Sequence, residues 1–211
     1  MNLQVVESQE EKHPEKQPTR PWNVIAPLQH VSQEQLKIEY KKYSDQAAMV
    51  ALNMLSDANI GLIVRTAACF SLGSVYVVGR RNYPAHTAVG TQNHIDVHRV
   101  TASTGPHNEF LSVERLKEFF DEQKNKYTLI FIEQHPGSIP LSKFNFNLKK
   151  PPMFIFGTES DGIPAELIDA FPESYTITIE QLGISRSLNV AVASGIVGYA
   201  WSQYKSQDKS A

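Results

Sequence analysis

Cysteine is nearly absent: Cys69 is the only one in 211 residues. A lone thiol excludes an intrachain disulfide and a cysteine-built metal cluster, so a reducing, cytoplasmic setting is the default expectation. Long hydrophobic runs are also missing. Nothing approaches the ~20 consecutive apolar residues that span a bilayer, so no membrane association is expected. The opening residues, MNLQVVESQEEKHPEKQ, carry no apolar core of a secretory signal. An excess of one charge is lacking too, with 20 Lys and Arg against 22 Asp and Glu and a net charge of −2. Any nucleic-acid partner would therefore have to be met by local basic patches rather than by a global positive field. Arg80-Arg81, Lys149-Lys150 and Lys41-Lys42 are the candidates. A Rossmann G-x-G-x-x-G, a Walker A loop and a G-x-S-x-G elbow are absent as well. The seven histidines show no metal-ligand spacing, so His86, His94 and His98 read as surface or packing residues and no metal is expected.

What is present alternates regularly. Residues 1–31 carry Pro14, Pro18, Pro21 and Pro27 and read as a flexible or wrapping arm, with Trp22 and Ile25 able to dock on the body. Residues 32–205 read as one domain and 206–211 as a disordered tail. Ser32 with Gln35 makes a capping-box arrangement for a helix through about Asp45. Short apolar runs read as strands at Met49–Leu52, Val75–Val78, Val97–Val100, Leu129–Ile132, Met153–Phe156 and Tyr175–Ile179. Helices fall between them: from Ser56 or Asp57 to a terminal glycine at Gly73, from Ser112 to about Lys124, after Pro164, and from a Ser187 cap to about Tyr204. Continuous apolar strands alternating with helices imply an α/β fold, a mostly parallel sheet with helices on both faces. Ligands of such sheets lie beyond the carboxyl ends of the strands. That rule singles out residues 53–65, 157–164 and 181–189.

In the first segment Asn59 sits in the opening turn of a helix that is apolar almost all round. Arg65 on a buried helix would need a carboxylate, a phosphate or a cleft, and a plain structural ion pair is the alternative. Cys69, on the same helix, reads as inert core. In the second segment Gly157 and Gly162 bracket polar residues directly after a strand. There Glu159 and Asp161 are acid/base candidates, metal ligands or simple loop residues. In the third, Asn189 lies in the first turn of the last helix, and Ala191, Ala193, Ser194, Gly195 and Gly198 permit its close packing.

Together, Asn-x-Gly-x-x-x-Arg-Thr-Ala at Asn59–Ala67, Phe-Gly-x-Glu-x-x-Gly-Ile-Pro at Phe156–Pro164 and Gly-Ile-x-Arg-Ser-Leu-Asn-Val-x-Val-Ala at Gly183–Ala193 resemble three signature motifs, in order. They are those of the SpoU/TrmH family of SPOUT methyltransferases, and the resemblance spans roughly Ala48 to Trp201. It implies a C-terminal deep trefoil knot, one of the exceptions to unthreaded topology. It also implies a homodimer with each site at the subunit interface, and S-adenosylmethionine bound bent by the knot loops. The activity implied is methyl transfer to a ribose 2′-hydroxyl of structured RNA, with tRNA slightly favoured over rRNA. Carried over by motif position, Arg65 would act on that hydroxyl, and Asn59, Glu159, Ser187 and Asn189 would complete the polar site. Phe156, Gly157, Thr158, Gly162, Ile179, Leu182, Gly183, Ser187 and Leu188 would hold the cofactor, with Glu133 beyond the preceding strand.

Family members often have Pro-Met after the isoleucine corresponding to Ile179. Here Glu180-Gln181 stand instead, adding a carboxylate near the cofactor loop. A guanidinium keeps its proton beyond pH 12, so Arg65 reads as a phosphate ligand and stabiliser of developing negative charge, with proton removal through the phosphate or a deprotonated Arg65 left open. Three other readings stay open: a base-methylating SPOUT enzyme, a catalytically idle RNA-binding protein of the same fold, and a nucleotide-dependent enzyme, which would lack any phosphate loop.

Overall fold

The structure, a computed structural model, describes residues 5–6, 22–52, 56–79, 85–104, 110–185 and 187–208. The Arg80-Arg81 pair and Arg186 lie outside the described residues. The chain starts with β1 (Val5–Val6), a 3-10 turn at Ala26–Leu28 and α1 (Gln33–Tyr43). Next come β2 (Ala48–Leu52), α2 (Asp57–Cys69), β3 (Ser74–Val78), α3 (Ala85–Ala88), a 3-10 turn at Thr91–Asn93 and β4 (Asp96–Val100). A ribbon of β5 (Ser103–Thr104) and β6 (Phe110–Leu111) leads into α4 (Val113–Gln123). The second half holds β7 (Thr128–Ile132), β8 (Ile139–Pro140), a 3-10 turn at Leu141–Lys143 and β9 (Pro152–Phe156). It closes with α5 (Ala165–Asp169), β10 (Tyr175–Thr178) and α6 (Val190–Asp208).

Among the described residues eight strands form one sheet, in the order β1-β4-β3-β2-β9-β7-β10-β8. Seven of them run parallel; β1 alone is antiparallel, with Val5 opposite Val100 at the edge. The expected parallel α/β sheet is therefore present. The two-residue period of each strand divides its apolar side chains between two layers. Met49 and Ala51 of β2 pack with Tyr40 of α1, Ile60, Ile63 and Val64 of α2, and Val197 and Trp201 of α6. Ala48, Val50 and Leu52 pack on the other face with Leu116, Phe119 and Phe120 of α4 and Leu167 of α5. Both faces are covered, which is why these strands are apolar at every position. Each fully buried Leu, Ile or Phe contributes about 1.5–3 kcal/mol by leaving water. Trp201 also donates its indole N–H to Asp45 Oδ2 at 2.6 Å, tying α6 to the turn before β2.

Helix ends obey local chemistry, though not always at the expected residue. Ser32 Oγ accepts from the Gln35 N–H at 3.2 Å and Ser112 Oγ from the Arg115 N–H at 3.3 Å, both as capping predicts. The terminator of α2 is Ser71, not Gly73. Ser71 adopts φ 59°, its N–H reaches Ala68 O at 3.2 Å, and the Leu72 N–H reaches Ala67 O at 3.0 Å, a Schellman closure. Ser187 does not cap α6 either. Asn189 Oδ1 accepts from the Ala191 N–H at 2.9 Å and the Val192 N–H at 3.3 Å, so the helix starts later than expected. It also runs on to Asp208, making residues 206–208 helical rather than tail. In the arm, Trp22 Nε1 donates to Val31 O at 3.0 Å, while Ile25 is 57% exposed instead of docked. Cys69 is exposed at the end of α2 rather than buried in the core. No helix among the described residues is long and apolar enough to cross a membrane.

Candidate active site

Parallel pairing brings the carboxyl ends of β2, β9, β7 and β10 to one side of the molecule in a row. From β2 the sheet grows one way through β3 and β4 and the other way through β9, β7 and β10. Open α/β sheets bind ligands in the crevice beyond such strand ends. A cleft of about 490 Å³ opens beyond the carboxyl ends of β9, β7 and β10, at Phe156, Ile132 and Thr178. Ile132, Phe156, Ile179 and Leu188 supply apolar wall, and Glu133, Glu159, Asp161, Ser187 and Asn189 supply polar groups.

Three segments far apart in sequence are tied together behind this cleft. Asn59, in the first turn of α2, is 6% exposed and donates from Nδ2 to Glu159 Oε1 at 2.8 Å. The same oxygen accepts from the Ser56 N–H at 3.1 Å. Asn59 Oδ1 accepts from Asn189 Nδ2 at 3.2 Å, and Asn189 uses its own Oδ1 to cap α6. A carboxylate accepts only, so the network fixes the orientation of both amides. A buried amide satisfied at both ends is held rigidly.

The loop after β9 is equally constrained. Thr158 and Gly162 exchange backbone hydrogen bonds at 3.0 and 3.1 Å. Gly162 turns at φ 66°, where a Cβ would stand 2.2 Å from Glu133 Oε2. A Cβ on Gly157 would stand 2.2 Å from the Gly162 carbonyl carbon. Glu133, at the end of β7, accepts from the Ile163 N–H through Oε2 and from the Gln134 N–H through Oε1, both at 2.8 Å. Its carboxylate therefore braces this loop from the neighbouring strand.

Residues 46–199 match the model of the SpoU rRNA Methylase family. The chain belongs to that family. This SpoU family member is 27% identical over 174 residues to the tRNA (guanosine(18)-2'-O)-methyltransferase of Saccharomyces cerevisiae, a match covering 79% of the chain and 11% of the yeast protein. It is 26% identical over 153 residues to the enzyme of the same description from Borreliella burgdorferi, covering 70% of the chain and 62% of that relative. The chain thus spans about a tenth of the yeast relative's length and under two thirds of the bacterial one's. Among solved structures it is similar to the A. aeolicus TrmH/SpoU tRNA modifying enzyme, with a TM-score of 0.67, 18% identity and 84% of each chain covered. It is also similar to the SpoU methyltransferase AviRb from Streptomyces viridochromogenes in complex with AdoMet. That match has a TM-score of 0.60 and 19% identity, and covers 77% of this chain and 58% of the other.

In this family member Glu133, Phe156, Gly157, Thr158, Glu159, Gly162, Ile179, Ser187, Leu188 and Asn189 all line the cleft. Asn59 stands behind it, one hydrogen bond away through Glu159. Leu182 and Gly183 do not line it; Leu182 is 103% exposed and no heavy atom comes within 4 Å of a Cβ on Gly183. Arg65 is outside the lining as well. The expectation that α2 is buried all round is corrected here, because Leu62, Arg65 and Cys69 form an exposed stripe one and two turns apart. The extra carboxylate at Glu180 stands between the lining residues Ile179 and Gln181 but is not itself in the lining. It turns from the cleft to Ser142, accepting from the Ser142 N–H at 3.3 Å and from the Ser142 hydroxyl, contacts that hold its pKa below the usual carboxylate value. Sequence reasoning missed Ile132 and Thr178 in the lining, and with them Gln134, Ser160, Gln181, Val190 and Ala193. The first two end strands β7 and β10, so the strand-end rule contained the signal. Among the described residues, no group of three or more His, Cys, Asp or Glu is arranged to hold a metal ion.

Proposed function

We propose that this SpoU family member transfers a methyl group from S-adenosylmethionine to a ribose 2′-hydroxyl of structured RNA, with tRNA as the substrate class. The observation that carries the reading is the Glu159–Asn59–Asn189 hydrogen-bond chain, which draws all three motifs to one cleft. The lining also fits the cofactor. Its apolar walls suit an adenine, and its described residues include Glu133, Glu159 and Asp161 but no lysine, arginine or histidine. Three carboxylates favour a cationic sulfonium and disfavour a phosphate-bearing nucleotide, which weakens the nucleotide-enzyme alternative. S-adenosylmethionine, when bound, supplies an activated methyl on sulfur. The chain's own groups then have two tasks: positioning the ribose oxygen in line and stabilising charge as its proton leaves. Ser187 Oγ and Asn189 lie at the cleft for the first task.

Arg65 is assigned the second, within a homodimer. In support, its stripe on α2 is exposed, and α6, which packs on α2, exposes Val192, Ile196 and Tyr199, at 52%, 37% and 56%. A second copy covering both faces would bring a guanidinium to a cleft whose described lining residues include none. We further propose that the segment through α6 completes the family's trefoil knot. The chain leaves β10, beyond β7, and returns to pack α6 on α2. Residues 1–31 act as an arm on a domain of residues 32–205, and the protein works in the cytoplasm, where its single thiol stays reduced.

Methylation of tRNA transcripts with labelled S-adenosylmethionine, followed by nucleoside mass spectrometry, tests the reading. A 2′-O-methyl nucleoside is expected, and Arg65→Ala should lower turnover by about 10²-fold or more. A methyl group on a base supports the base-methylating alternative; no binding of S-adenosylmethionine supports the idle one.

A further inference from the structure

Glu180 and Ser142 supply a device that the motif pattern does not contain. Chain leaving β10 passes Ile179, which lines the cleft, then Glu180, which does not, then Gln181, which does. Beyond Gln181 the loop stands clear of the body, with Leu182 103% and Ile184 106% exposed, until Ser187 and Leu188 return to the cleft wall. Such a loop needs a fixed point where it departs. The Glu180 carboxylate grips Ser142 through both its oxygens, one from the backbone N–H at 3.3 Å and one from the hydroxyl. Ser142 belongs to the 3-10 turn that comes after β8, and β8 pairs with β10 through Thr178 and Pro140. The grip therefore extends the β8–β10 pairing two residues past the end of the strand.

We propose that Glu180 is a positioning residue for the cofactor. Its bond to Ser142 sets the exit angle of residues 181–188 and thereby holds Ile179, Gln181 and Leu188 as one wall. The proposal rests on the reading of the cleft as an S-adenosylmethionine site. It also accounts for Glu180-Gln181 standing where the family resemblance leads one to expect Pro-Met. A proline restricts the same backbone step covalently, by fixing its own φ and confining the residue before it. Here a side-chain hydrogen bond performs that task.

The test is a pair of variant series read by calorimetric binding of S-adenosylmethionine and by amide hydrogen exchange across residues 181–188. Glu180→Ala and Ser142→Ala should each weaken binding by about threefold to tenfold, the range for loss of a modest hydrogen-bonded restraint. Each should raise exchange in the loop and raise KM for S-adenosylmethionine while leaving kcat within about twofold. The double variant should be no worse than either single one, since both break the same bond. Glu180→Pro combined with Gln181→Met should restore binding and render Ser142→Ala silent. Wild-type binding and exchange in Glu180→Ala, or additive losses in the double variant, would overturn the proposal. Failure of the wild-type protein to bind S-adenosylmethionine would instead strike the functional reading beneath it.

Discussion

Replacing Asn59 by aspartate changes one nitrogen into an oxygen and reverses the logic of the site. Nδ2 of Asn59 now donates to Glu159 Oε1 at 2.8 Å. An ionised aspartate at that position would put a second negative charge there. Two unit charges at that distance repel by about 6 kcal/mol at an effective dielectric near 20. The variant has an escape, which is to fold with the introduced carboxyl protonated so that its hydroxyl donates where the amide did. Taking up a proton from a reference pKa near 3.9 costs about 4 kcal/mol at pH 7 but only about 1.5 kcal/mol at pH 5. These are ceilings, because Glu159 is exposed and water screens part of the repulsion. The pKa of the introduced carboxyl is raised on folding, so the folded state binds more protons and the variant regains stability as pH falls. For a domain of this size each kcal/mol moves Tm by about 2–4 °C. Thermal melts should place Asn59→Asp up to about 8–16 °C below wild type at pH 7 and about 3–6 °C below it at pH 5. Binding of S-adenosylmethionine should recover over the same interval. A deficit relative to wild type that is equal at both pH values, or absent at both, would refute the argument.

The geometry carries three further expected outcomes. Gly157→Ala places a Cβ 2.2 Å from the Gly162 carbonyl carbon, backbone that cannot rotate away; calorimetry should show at least about tenfold weaker S-adenosylmethionine binding with the far-ultraviolet dichroism unchanged. Asn189→Ala removes the α6 cap and should cost about 1 kcal/mol in urea unfolding, whereas Ser187→Ala should leave stability within about 0.5 kcal/mol of wild type. Burial of His94 against the Tyr40 ring, with centroids 5.1 Å apart, holds its pKa below the usual histidine value. The unfolded chain therefore takes up a proton that the folded one refuses. Stability should decline as pH falls from about 6.5 toward the lower folded value, and His94→Asn should flatten that slope by up to one proton.

Much of this molecule is legible in its sequence because the determinants are local. Ser32 with Gln35, and Ser112, announce their helices through bonds made within three residues. The apolar runs of β2, β7 and β9 are legible because both faces of the sheet are covered. What escapes depends on distance or on competition between neighbours. Ser187 and Asn189 are both good caps, and the choice falls to Asn189 because its Nδ2 also reaches Asn59, 130 residues away. Gly73 is a natural helix terminator, but its N–H already donates to Ala47 O at 2.9 Å beside the sheet, and Ser71 takes the left-handed turn instead. The apolar pattern of α2 does not distinguish core from an exposed stripe at Leu62, Arg65 and Cys69. Glu180 looks like a cofactor-loop carboxylate until Ser142, 38 positions earlier, is seen to claim it.

The long spans of the Asn59 network reach beyond the cleft itself. Glu159 is met by groups 100 and 103 positions before it, and the capping amide of α6 comes from near the end of the chain. During synthesis, no ligand pocket can exist until Asn189 and helix α6 have left the ribosome. Once closed, the pocket works as a late fastener. A ligand present at a hundred times its Kd raises the unfolding free energy by about 2.7 kcal/mol. That gain bears on β2, β9 and α6 together, so protease resistance on ligand addition should extend to cut sites across the whole sheet.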